Sequence, residues 1–260
     1  MVSGVSAVAV LRRDRWIIIA GLAVVAGLAW AYTIYLAGNM PRMDMDMAMP
    51  HMQAWGVIDF VLMFVMWWVM MVAMMTPSVS PMVLMFATIN RKRREQDKPF
   101  VPTLVFLLGY LIAWGIYSAV ATILQWLLQS AALVSPMMVS TSPVLGGILL
   151  IAAGVFQWTP FKHACMKHCR TPMGFLMAEW RDGPRGALVM GLRHGYFCLG
   201  CCWMLMALLF VFGVMNLLWV AIIAGFVLVE KVAPRAEWIT RAAGVLFTAW
   251  GLWLVAGVLF

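Results

Sequence analysis

The chain alternates between long apolar runs and short polar interruptions. Nearly uncharged stretches occupy about 16–36, 55–75, 100–128, 143–159, 187–212, 216–230 and 239–260. A hydrocarbon core ~30 Å thick takes roughly 20 helical residues to cross. The pattern therefore predicts an all-α polytopic membrane helix bundle with about seven transmembrane helices. The first run, Trp16–Leu36, follows Arg12, Arg13 and Arg15. It exceeds the about 7–15-residue apolar core of a secretory signal and lacks a convincing small-x-small cleavage site, so it reads as a retained span. From Val57 to Asn90 the apolar character continues past Thr76-Pro77 and Ser80-Pro81. That is longer than one straight crossing at ~1.5 Å per residue, and a kink or break is expected at the prolines. The run 216–230 is short and ends at Glu230-Lys231. No internal repeat is apparent, so residues 1–260 read as a single integral membrane domain.

Charge then orients the runs. With the N-terminus in the cytoplasm and strict alternation, the inside receives Arg12, Arg13, Arg15, the run "RKRREQDK" at 91–98, the basic residues of 160–193, Lys231, Arg235 and Arg241. Of the 18 Lys and Arg, only Arg42 falls outside. Such asymmetry is the positive-inside rule. It puts the N-terminus in the cytoplasm and the C-terminus on the outer side. Residues 1–15 become a cytoplasmic tail, 37–54 an outer Met-rich loop and 160–186 a cytoplasmic Cys/His loop. The composition, 65% hydrophobic and 11% charged, excludes a soluble domain, which carries about 25% charged residues. The net charge of +8 thus speaks to membrane lipid rather than nucleic acid, and the 91–98 run faces anionic headgroups.

Soft ligands cluster in three places. The first is "NMPRMDMDMAMPHM", residues 39–52, where Met43, Met45, Met47 and Met49 alternate with Asp44 and Asp46 ahead of His51. Thioethers suit Cu(I) and survive an oxidising compartment that would consume thiols. The plainer reading is a loop whose methionines dip into the interface. The second is the helix that follows. Met66, Met70 and Met74 recur at four-residue steps, with Met63 nearby and Met71 and Met75 as a second pair. Residues i and i+4 share a helix face, so these thioethers either hand a soft ion inward or simply pack. Asp59, about one turn into this span, either prolongs the entry path or makes a structural hydrogen bond.

The third cluster is the densest. "QWTPFKHACMKHCRTP" (157–172) contains His163, Cys165, His168 and Cys169, and "GLRHGYFCLGCCWMLM" contains His194, Cys198, Cys201 and Cys202. All 5 cysteines and three of the 4 histidines lie in these two segments, on the reducing side of the membrane. Lys162, Lys167 and Arg170 are expected to favour the metal-binding thiolate. Convergence of the two segments would suit Cu(I), with zinc(II) as the alternative ion. The rival readings are a redox thiol pair and inert buried cysteines. No P-loop, C-x-x-C-H or H-E-x-x-H motif occurs, and no catalytic residue is assigned.

The motifs "AMMTPSVSPM" (73–82), "QWTPFKHACMKHCRTPMGF" (157–175), "GPRGALVMGLRHGYFCLGCCWMLMALLFVFGVMNLLWV" (183–220) and "EKVAP" (230–234) occur in order. Together they resemble a bacterial family of predicted metal-binding integral membrane proteins, domain-of-unknown-function family 2182, often labelled copper chaperones. The resemblance covers roughly residues 60–255 and implies Cys165, Cys169, His194, Cys198, Cys201 and Cys202 as ligands. The expected function is a membrane-embedded Cu(I)-binding protein in copper acquisition, transfer or delivery, leaning away from enzyme. Its expected partner is a copper enzyme or another membrane complex subunit. The alternatives are a membrane thiol–disulfide oxidoreductase using Cys198 and Cys201, and an accessory subunit of a larger complex.

Overall fold

The computed structural model describes residues 3–46, 55–97, 100–133, 142–234 and 236–259, and among these every regular element is a helix. In order the helices are α1 (Ser3–Asp46), α2 (Val57–Arg94), α3 (Thr103–Ser130), α4 (Pro143–Phe156), α5 (Pro160–Arg170), α6 (Pro172–Glu179), α7 (Gly183–Ala207), its short continuation α8 (Leu209–Phe212), α9 (Leu217–Val232) and α10 (Ala236–Leu259). Among the described residues, five stretches are long and apolar enough to cross a membrane: 15–39, 57–94, 103–130, 183–212 and 236–258. The expected 143–159 span is α4, which bends by 64° into α5 to make a broken pair. The expected 216–230 span is α9, of 16 residues. At ~1.5 Å per residue it is about 24 Å long.

Three local departures from the expected outline have physical causes. First, α2 runs unbroken for 38 residues through Pro77 and Pro81. Pro81 has no N–H to give to the Pro77 carbonyl one turn back, and the Ser80 hydroxyl donates to that carbonyl instead, at 2.8 Å. Local side-chain donors of this kind let a proline sit inside an apolar helix. Second, the expected loop 37–54 begins as helix, because α1 continues to Asp46. Met43 and Met45 fall on its last turn. Their side chains lie outside the described residues, as do Met47, Met49 and His51 altogether. Third, the expected loop 160–186 is largely helical. Thr159 caps α5 by accepting the Lys162 N–H at 3.3 Å, with Pro160 in the first helical position, where its missing N–H costs nothing.

Close helix contacts are made where side chains are small. Gly109 on α3 and Gly191 on α7 face each other's backbone: a Cβ on Gly109 would lie 2.8 Å from the Leu188–Leu192 turn at Leu192 N, and one on Gly191 would lie 2.9 Å from the Phe106 carbonyl carbon. Apolar helices that gain no hydrophobic energy from one another associate through such packing. The core fills with aromatic rings and with Met66, Met70, Met71, Met74 and Met75 of α2, all buried. Outward, Leu104, Ile116, Val120 and Ile123 of α3 and Trp238, Leu246, Leu252 and Trp253 of α10 are exposed.

Candidate metal centre

The site forms where α5, α7, α9 and the proline-bearing part of α2 meet. The bend after α4 lays α5 along α7. Cys165 and Cys169, one turn apart, then face Gly200, Cys201 and Cys198. Gly200 is what permits the approach: a Cβ there would come within 2.6 Å of the Cys165 sulfur. The Cys169 and Cys201 sulfurs stand 4.0 Å apart. Two sulfurs holding one ion at about 2.3 Å each are separated by roughly 3.8 Å in tetrahedral geometry and about 4.6 Å when collinear. The observed spacing lies between these limits. Cys198 and Cys202 lie on the same stretch of α7 and are fully buried beside this pair. The Cys201 and Cys202 thiols donate to the Cys198 carbonyl at 3.1 and 2.8 Å. The two segments that the sequence separates by some thirty residues therefore do converge, as the ligand pattern anticipates. Among the described residues, no three His, Cys, Asp or Glu side chains meet in ready metal-binding geometry.

The histidines divide. His194 is buried one turn before Cys198, between the rings of Tyr110 and Phe175, and its Nδ1 is buried with no hydrogen-bond partner. His168 stacks on Phe197 at 4.1 Å and places Nδ1 2.9 Å from the Ala164 carbonyl, on the exposed side of α5. His163 is half-buried, and no thiol contact is seen for it among the described residues. A donor set of clustered thiols beside an unpartnered imidazole nitrogen fits a soft cation.

Three contributors were not anticipated. Lys231 of α9 lies 2.9 Å from the Cys198 sulfur and 3.1 Å from the Ser78 hydroxyl, and the Tyr110 hydroxyl lies 3.2 Å from the same sulfur. Ser78 in turn sits 4.0 Å from the Met75 sulfur. Met75, of the second methionine pair, thus adjoins the thiols through Ser78 and Lys231. The readable signal was Glu230-Lys231, two ionisable residues closing an apolar run, which seldom persist without partners.

The charges expected around Cys165 and Cys169 are used elsewhere. Lys162 is fully buried and reaches both Glu230 carboxylate oxygens at 2.8 and 2.9 Å, as well as the Gln157 side-chain carbonyl. The Thr240 hydroxyl donates to Glu230 at 2.8 Å. Arg170 donates to the Ala233 carbonyl at 2.6 Å. Neighbouring helix residues point about 100° apart, so Glu230 faces α5 while Lys231 faces α7. Asp59 resolves as a cap: its carboxylate accepts the Gly56 N–H at 2.8 Å at the exposed start of α2.

An all-α architecture of long apolar helices enclosing clustered thiols defines the class. A family model described as PpoB2, copper chaperone, matches residues 64–254, and the chain belongs to that family. The matched region runs from α2 into α10 and contains every cysteine, leaving α1 and the methionine-rich segment outside. Comparison with curated proteins and with solved structures gave no match.

Proposed function

We propose that the chain is an integral protein of the bacterial inner membrane that binds Cu(I) at the α5–α7 thiol cluster and passes it to a copper enzyme or another membrane complex. The carrying observation is the 4.0 Å approach of Cys169 to Cys201 across two helices. Membership of the copper chaperone family supports a copper-related role. The exposed apolar faces of α3 and α10 support embedding in lipid, since a helix that is apolar all round belongs in a core or a bilayer. Cys169, Cys201 and Cys198 are the principal ligands, with Cys165, Cys202 and His194 adjoining them. Met66, Met70 and Met74, buried along α2, line a route of thioethers toward the cluster. Met43, Met45, Met47, Met49 and His51 are the capture segment.

The test is elemental analysis of protein purified without chelator and loaded with Cu(I) under reducing conditions. About one copper per chain is expected. Cys169→Ser and Cys201→Ser are expected to lose it while remaining helical. A wild-type chain that stays copper-free in this assay, or single serine variants that load like the wild type, would sink the proposal. Reversible Cys169–Cys201 or Cys198–Cys201 disulfide turnover without metal protection would instead favour the oxidoreductase.

A further inference from the structure

The copper reading leaves Lys231 unused, and the residue looks opposed to that reading. A cation is buried where a cation is to bind. The residue is 9% exposed, and its ammonium makes the 2.9 Å contact to the Cys198 sulfur. The other lysine buried beside the site, Lys162, is matched by Glu230. For Lys231 no carboxylate partner is found among the described residues, and its ammonium contacts the Ser78 hydroxyl and the Cys198 sulfur. Net charge in a low-dielectric interior is costly unless compensated nearby.

We propose that Lys231 is the charge-selecting residue of the thiol site: its fixed ammonium lets the cluster accept a monovalent soft cation and disfavours divalent ones. The inference rests on the thiol cluster being a soft-ion site. When two thiols bind as thiolates, their protons pass to solvent and no electron changes hands. Two thiolates and one ammonium leave a single net negative charge, which a monovalent ion cancels. A divalent ion leaves the centre positive unless a third buried thiol also loses its proton. The same conclusion follows without assigning the ligands, because Coulomb energy scales with the charge of the incoming ion. Removing the ammonium raises attraction for a divalent ion twice as much as for a monovalent one. Lys231 is a positioning and selectivity residue and not itself a ligand.

The experiment is competitive titration of the purified full chain in detergent with Ag(I) and Cd(II). It compares wild type with Lys231→Met, Lys231→Gln, which retains a donor for Ser78, and Lys231→Arg, which retains the charge. The Ag(I)-over-Cd(II) preference is expected to fall by about tenfold or more in the two neutral variants and to survive in Lys231→Arg. Folded neutral variants that keep the wild-type preference overturn the selectivity role while leaving the thiol site standing. A wild-type chain that binds neither ion overturns both. Proton release per Ag(I) in the wild type keeps the idea exposed should the neutral variants not fold. No more than two protons are expected, and release of a third, whether from the ammonium or from another thiol, would break this charge balance and overturn the proposal.

Discussion

Single residues here have duties set by what stands within a few ångströms. Lys162 is the clearest case. From sequence it belongs with the cytoplasmic anchor, yet it is buried against Glu230, Gln157 and, through Glu230, Thr240. Removing one partner of a buried pair strands the other charge, a loss of about 3–5 kcal/mol. Glu230→Ala is therefore expected to lower unfolding resistance in detergent by about 3 kcal/mol or more, and Lys162→Met in the same chain to recover much of it. Urea or thermal denaturation followed by circular dichroism reads both. Gly200→Ala tests the other residue-scale contact. A methyl 2.6 Å from the Cys165 sulfur must push α5 off α7, at about 1–3 kcal/mol of overpacking. The variant is expected to stay folded and to bind copper substoichiometrically, read by elemental analysis.

At the scale of elements, the apolar runs announced the long helices well, because length and hydropathy alone decide such segments. What they hid was the path between runs. Residues 160–186 looked like a loop because Lys162, Lys167 and Arg170 interrupt the apolar character. The spacing of Lys162, Cys165, Met166 and Cys169, all buried or half-buried on α5, is the i, i+3, i+4, i+7 pattern of a helix laid against a core. That signal was present, and the lysine masked it. The prolines of α2 allowed for a break that does not occur, since the remedy for Pro81 lies in the adjacent Ser80 hydroxyl. Ser80→Ala is expected to cost about 1 kcal/mol and to loosen this part of α2, seen as faster amide exchange there. Thr-Pro itself is not decisive: at 159–160 and 171–172 it opens a helix, whereas at 76–77 it is absorbed into one. The side chain that completes the site, Lys231, was legible only as an oddity in a short apolar run. Nothing in sequence spacing could assign it to Cys198 rather than to Glu230 or solvent.

For the whole molecule, the family region and the methionine-rich segment are separable. The match begins at residue 64, beyond the methionines of 43–49. Replacing Met43, Met45, Met47 and Met49 with Leu is expected to leave the copper bound by the thiol cluster unchanged in the purified chain. Any further copper in excess of that ion should disappear, with elemental analysis distinguishing the two. Thiol exposure offers a second global readout. Cys169 is half-buried while the other four cysteines are buried, so Cys169 is expected to alkylate first in folded protein, and Ag(I) is expected to protect it. Mass spectrometry of labelled peptides gives the order.

Glu230 and Lys231 stand one step apart on α9, yet one grips α5 and the other faces the sulfurs of α7. The helix is thereby a spindle with two arms. Any rotation about its long axis large enough to release Lys162 also sweeps the ammonium away from Cys198, so undocking α5 and unmasking the sulfurs are a single mechanical event.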